Sequence, residues 1–279
     1  MKQEAKRSRQ RVGACSWSLQ ARDPAELARL LGEIGVDCVQ LHLDPLRTGA
    51  WSEAQTLRSL AESGIEVRSG MMSMEGEDYS TLESIRNTGG VRPRSTWDKN
   101  RVAAEGNAKL ARRFGIDLVT FHAGFLPHDR RGAEREVLLS RLRELADIFS
   151  EQGVRVGFET GQESAATLLE VLADLGRDTA GINFDPANMI LYAMGYPVSA
   201  LRELASRVLQ IHVKDARATK VAGTWGEEVR VGEGQVDWTA FFAVVREQDI
   251  RVDWMIEREA GSQRVADMRA ARELLELHA

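Results

Sequence analysis

The sequence predicts an α/β fold: one domain over residues 1–279 in which eight parallel strands and their helices close into a (β/α)8, or TIM, barrel. Three observations lead there. Eight short β-type runs recur along the chain with helical patterns between them, and such alternation makes a parallel sheet with right-handed crossovers. Several runs alternate apolar and polar residues, whereas strands of an open sheet covered on both faces read apolar throughout. The polar members gather toward the C-terminal ends of the later runs, the end at which a closed barrel carries its site. Length alone suggests two domains, but barrels of ~250 residues fold as one unit.

The elements follow in order. The first run is RVGACS (11–16). Asp23 then caps a helix, Pro24 suits its first turn and Glu26 completes a capping box. Leu27, Leu30, Leu31 and Ile34 recur at helical spacing, and Gly35 ends the helix. DCVQLHL (37–43) and IEVRSGM (65–71) are the second and third runs. A long connection, 72–100, precedes IDLVTFH (116–122). Leu138, Leu142, Leu145 and Phe149, closed by Gly153, lead to VRVGFE (154–159). Leu168, Leu169, Leu172 and Leu175, closed by Gly176, lead to AGINFD (180–185). VLQIHVK (208–214) follows, then a second long connection, 215–237, then RVDWMIE (251–257). Ser262 is the expected cap of a last helix with Val265, Met268 and Leu275 on its apolar side. Ile182, Phe184, Ile211 and Val213 form the helix-facing set of the strands. Thr120, His122, Asn183, Asp185, Gln210, His212 and Lys214 form the inner one. Connections this long inside a compact domain are usually functional or mobile. Trp97, Trp225, Arg92 and Arg94 either close over a ligand or cover barrel helices.

Composition excludes several classes. Hydrophobic residues make up 43% of the chain, enough for a sizeable core, and the formal charge is -5 with both signs interspersed. Neither a nucleic-acid-binding face nor a membrane patch is expected. Cys15 and Cys38 sit in apolar runs and read as buried reduced thiols, consistent with a cytoplasmic location. Residues 1–10, MKQEAKRSRQ, are expected to be a disordered tail, with no apolar signal core after them. No apolar run approaches the ~18 residues a membrane span needs.

Chemistry concentrates at four strand ends. Glu159 ends the fifth run, Asp185 the sixth and Glu257 the eighth, and His212 stands two residues before the end of the seventh. In a closed barrel these ends converge. Three carboxylates brought that close repel one another, and a divalent cation removes the conflict. Carboxylates and one imidazole without a thiolate favour Mn²⁺ first, with Mg²⁺, Co²⁺ or Zn²⁺ as alternatives.

At these residues the sequence resembles the sugar phosphate isomerase/epimerase superfamily, a xylose isomerase-like group that includes ketose 3-epimerases and hydroxypyruvate isomerases. The matching pieces are GFETG with Glu159, NFDPANM with Asp185 and Asn188, QIHVKDAR with His212, Lys214 and Arg217, VGEGQVDW at 231–238, and MIERE with Glu257. The resemblance implies one metal on Glu159, Asp185, His212 and Glu257, and proton transfer by Glu159 and Glu257. It implies substrate contact at Arg217. Asn188 stands where the epimerases often carry a histidine. Glu163 is the nearest candidate for the family's further substrate-binding glutamate. The family's barrels are often dimers or tetramers.

The chemistry then expected is removal of a carbon-bound proton beside a carbonyl through a metal-stabilised enediolate, with a sugar, sugar phosphate or keto-sugar as substrate. Return of the proton to the other face is epimerisation; return to the adjacent carbon is isomerisation. His122 and Lys214 bind hydroxyls or steady the enediolate. Otherwise His122 is a rim histidine and Lys214 pairs with Asp215 or a carboxylate ligand. Trp17 stacks on a sugar face or packs under the N-terminal loop. Three other readings compete: a sugar dehydratase or lyase on the same residues, a DNA-repair endonuclease on this barrel, and a non-catalytic sugar-binding protein. The endonucleases hold three zincs largely on histidines, against five histidines and an acidic balance here.

Overall fold

Each of the eight β-type runs forms a strand, and each strand pairs in parallel with its neighbours until the sheet closes. In the computed structural model, which describes residues 10–127, 132–221 and 223–278, the strands are β1 Val12–Cys15, β2 Cys38–His42, β3 Glu66–Met71, β4 Leu118–Phe121, β5 Arg155–Glu159, β6 Ala180–Phe184, β7 Val208–Val213, β8 Asp215–Arg217, β9 Glu227–Val229 and β10 Asp253–Ile256. The barrel runs β1-β10-β7-β6-β5-β4-β3-β2 and is closed. The expectation for residues 1–10 falls, except for residue 10, outside the described residues. No described helix is long and apolar enough to cross a membrane.

The helices form where periodicity and caps coincide. Asp23 Oδ1 accepts the Glu26 N–H at 2.9 Å, and Gly35, at φ 85°, ends the helix Pro24–Ile34. The return bond of the capping box reaches one residue further out, Arg22 N–H to Glu26 Oε2 at 2.9 Å. Leu138, Leu142, Leu145 and Phe149 are at most 1% exposed along the helix Ala133–Ser150, each burial contributing ~1.5–3 kcal/mol. The last helix begins at Arg264, so Ser262 lies one residue outside the cap position.

The long connections are more ordered than their sequence suggests. Residues 72–100 contain the helix Leu82–Thr88 and the start of the helix Arg94–Arg113. Residues 215–237 contain the antiparallel hairpin β8–β9. Asp215 organises that hairpin, accepting from the Ala216, Gly232, Gly234 and Val236 N–H groups and from the Trp238 indole. A Cβ at Gly234 would lie 2.0 Å from Asp215 Oδ1, so only glycine fits there. Lys214 therefore does not pair with Asp215.

The inner face of the barrel is polar. Ser69, Gln210, Gln40 and Thr120 are linked by hydrogen bonds of 2.6–2.9 Å and are all at most 1% exposed. Branched aliphatic residues usually fill this space. Here each buried polar atom must find a partner, and the chain of amides supplies them.

At the C-terminal rim, Asp44 accepts from Asn107 Nδ2 (3.0 Å), Arg47 Nε (2.9 Å) and the Ser73 N–H (2.9 Å), and lies 3.1 Å from His42 Nε2. Burial works to raise its carboxyl, but the bonds from His42, Asn107 and Ser73 outweigh it and hold the group at about 2. A depressed folded-state value stabilises the fold above the unfolded value near 4, and the stabilisation is lost as pH falls through about 2. Asp44→Asn is therefore expected to cost about 2 kcal/mol at pH 7. In urea unfolding, the gap to the unsubstituted chain should close between about pH 4 and pH 2.

Candidate metal centre

Strand geometry brings the four strand-end residues together. Glu159 is the last residue of β5, Asp185 follows β6, His212 is next to last in β7, and Glu257 follows β10. One ligand atom from each lies within 4.8 Å of all the others. His212 Nδ1 is 3.6 Å from Glu159 Oε1, 3.8 Å from Asp185 Oδ2 and 3.4 Å from Glu257 Oε2. Asp185 and His212 are 0% exposed, Glu257 3% and Glu159 8%.

Asp185 tests whether a cation fits. Its Oδ1 accepts the Asn188 N–H at 2.9 Å and caps the helix Pro186–Leu191. Its Oδ2 is buried, faces the cluster and has no hydrogen-bond partner. A buried carboxylate oxygen without a donor is costly unless positive charge meets it. Burial, with Glu257 and Glu159 adding to it, raises the Asp185 carboxyl against the opposing pull of Lys214 and His212, each 3.8 Å from Oδ2. His212 responds in the opposite sense. Burial alone would lower it, yet the charges around it, Glu159 and Glu257 among them, raise it well above the ordinary range. The donor set of three carboxylate oxygens and one imidazole nitrogen therefore fits a divalent cation. Among the described residues the possible metal groups share one histidine, His212, unlike a histidine-built three-zinc cluster.

The imidazole is held from behind. His212 Nε2 lies 2.8 Å from Gln40 Oε1, and Gln40 Nε2 donates to Thr120 Oγ1 at 2.8 Å. Gln40 Nε2 also faces the Gly70 carbonyl at 3.4 Å, an acceptor only, which turns the amide oxygen toward the ring; an Nε2 proton donated to that oxygen leaves the Nδ1 lone pair for the carboxylates. Gln40 escaped the sequence reading, although a polar residue inside CVQLH was its signal.

The two glutamates are anchored differently. Asn188 Nδ2 donates to Glu159 Oε1 at 2.8 Å. Trp17 Nε1 donates to Glu257 Oε1 at 2.7 Å, and Lys214 Nζ to Glu257 Oε2 at 3.0 Å. Lys214 thus pairs with a carboxylate of the cluster and also lines the cavity above it. Burial resists ionisation of both glutamates, but His122 and His212 lower Glu159, and Lys214 and His212 lower Glu257 well below the ordinary range.

Above the cluster opens a cavity of about 450 Å³. Trp17, His122, Asn188 and Lys214 line it, with Tyr79 and Trp225 from the two long connections. His122 Nε2 is 3.7 Å from Glu159 Oε1. Two expected substrate contacts lie elsewhere. Arg217, at the exposed end of the hairpin β8–β9, donates to the Glu233 carbonyl at 3.0 and 2.8 Å. Glu163 is buried outside the cavity wall and accepts the Leu126 N–H at 2.6 Å. Trp97 packs against the core beneath the Arg141 guanidinium, as the helix-covering alternative has it.

The family model described as a xylose isomerase-like TIM barrel matches residues 25–278. The chain belongs to this family. It is 33% identical to a xylose isomerase domain protein from Planctomyces limnophilus, with TM-score 0.83 over 90% of this chain and 91% of that one. Two further structures share the fold. A probable 3-DHS dehydratase from Bacillus anthracis is 20% identical at TM-score 0.72, covering 96% and 98%. A D-allulose 3-epimerase from Methylomonas sp. is 15% identical at 0.71, covering 97% and 98%. A curated 3-oxo-isoapionate decarboxylase from Pectobacterium atrosepticum is 26% identical over 123 residues, which span 43% of this chain and 44% of that protein. Proteins that share this barrel or part of this sequence thus carry names from several reaction classes.

Proposed function

We propose that this xylose isomerase-like barrel is a divalent-cation-dependent sugar isomerase or epimerase, with Mn²⁺ the preferred ion, that moves a proton beside a carbonyl. One observation carries the reading: two glutamates from strands separated by two others, β5 and β10, meet at the floor of a cavity in one cluster with the orphaned Asp185 oxygen. When bound, the cation supplies positive charge beside the substrate oxygen that turns negative as the carbon acid ionises.

The chain supplies the rest. Asn188 and Trp17 aim the two carboxylates, so each approaches the substrate from its own side. Lys214 engages one oxygen of Glu257, whereas Glu159 is held by a neutral amide. A carboxylate bound by an ammonium is the weaker base, which makes Glu159 the stronger base of the pair. Glu159 takes the carbon-bound proton and Glu257 delivers one to the opposite face or the adjacent carbon. His122, 3.7 Å from Glu159, and the cavity aromatics hold hydroxyls and exclude water.

The test is solvent isotope. Mn²⁺-loaded protein incubated in D₂O with a panel of ketoses is expected to place one deuterium on carbon beside the carbonyl of an isomeric product. Isomer formation without deuterium would indicate a hydride shift and sink the proton-transfer route. Release of water or carbon dioxide would instead assign the site to elimination or decarboxylation, the lyase reading that the dehydratase and decarboxylase names keep open.

A further inference from the structure

The cavity wall is acidic; its lysine and the neighbouring Arg258 are already engaged, and the imidazoles of His42 and His122 complete its basic groups. Glu77, Glu159, Glu228, Glu257 and Glu259 line it, Lys214 is its one lysine, and no arginine lines it among the described residues. Lys214 Nζ lies 2.7 Å from Glu259 Oε2 and 3.0 Å from Glu257 Oε2. Arg258, next in sequence to Glu257, is turned to Glu228 and Asp267 at 2.9 Å each.

The placement of Glu259 is built rather than incidental. Its N–H donates to Glu228 Oε1 at 2.9 Å, and its carbonyl accepts from Arg264. These two bonds fix the backbone of the segment after β10 from both sides, so that a side chain still 52% exposed reaches a buried ammonium.

An ionised carboxylate accepts hydrogen bonds and donates none. A wall so supplied with acceptors suits a ligand rich in hydroxyl donors. A phosphate or carboxylate on the ligand would meet this like charge, and the lysine that could receive it is already held by two carboxylates. We propose that this cavity takes an uncharged polyhydroxylated substrate, and that Glu259 sets the choice by occupying Lys214, the side chain that would otherwise receive an anionic group. The inference rests on reading the cavity as a sugar site.

The test compares binding of D-fructose with D-fructose 6-phosphate, and of D-ribulose with D-ribulose 5-phosphate. It uses calorimetry on the full chain with Mn²⁺ in excess. The neutral sugar of each pair is expected to bind at least tenfold more tightly. Glu259→Gln, and independently Glu259→Ala, removes one of the two carboxylates on Lys214, leaves a donor of the ammonium for a charge-assisted bond, and is expected to move that ratio at least tenfold toward the esters. Esters that bind the unsubstituted protein as tightly as the neutral sugars overturn the proposal. So does a ratio unmoved by both substitutions, or no binding of either neutral ketose. A neutral ketose that binds with this preference but takes up no deuterium leaves the charge inference standing and removes the isomerase reading.

Discussion

Glu257→Gln is expected to abolish net conversion yet leave a half-reaction behind. Glu159, aimed by Asn188, still reaches the proton on its side of the substrate. Glu257→Gln cannot deliver a proton to the other side. With the epimer whose proton faces Glu159, the variant should wash solvent deuterium into recovered substrate without forming product. Glu159→Gln should lose both exchange and conversion from that epimer, by roughly 10²–10⁴-fold, the usual contribution of a positioned acid or base. Mass spectrometry of recovered sugar separates the two. Both substitutions also alter the cation site, so each variant is compared at saturating Mn²⁺. Equal loss of exchange in both would mean that the glutamates do not divide the work.

A divalent cation is expected to raise stability strongly, and Asp185→Asn to remove most of that rise. A ligand that binds only the folded state at 1,000 times its dissociation constant stabilises by about 4 kcal/mol, roughly 8–16 °C in melting temperature for a domain of this size. Asparagine keeps an oxygen to cap the helix Pro186–Leu191 and so isolates the lost charge. The sign without a cation is the sharper observation. Burial beside Glu257 and Glu159 raises the Asp185 carboxyl, so the ionised group strains the fold at neutral pH. In EDTA the Asp185→Asn chain should therefore melt above the unsubstituted one, and with Mn²⁺ below it. Scanning calorimetry in the two buffers reads both; an order that does not reverse would mean that no cation binds at this oxygen.

The four strand-end residues were legible because strand position is a local property. A run that alternates to its end places its last polar residue inward, and closure of the barrel does the rest. The helix Pro24–Ile34 was legible for the same reason, since cap, period and terminal glycine lie within a dozen residues. Arg217 shows where local reading stops. Its neighbourhood looks like a strand end, but the hairpin β8–β9 carries it outward to Glu233. Glu163 likewise follows β5 closely, yet its carboxylate turns to the Leu126 N–H.

By itself the sequence determined the barrel, its strand count and the convergence of Glu159, Asp185, His212 and Glu257, because pleat and pattern repeat over a few residues. Only the tertiary structure decided how those groups are aimed and which charges remain free. The Gln40–His212 bond joins residues 172 apart in sequence, and the Lys214–Glu259 bond residues 45 apart. Such partners meet through barrel closure and the course of the connecting loops, and no local pattern records either.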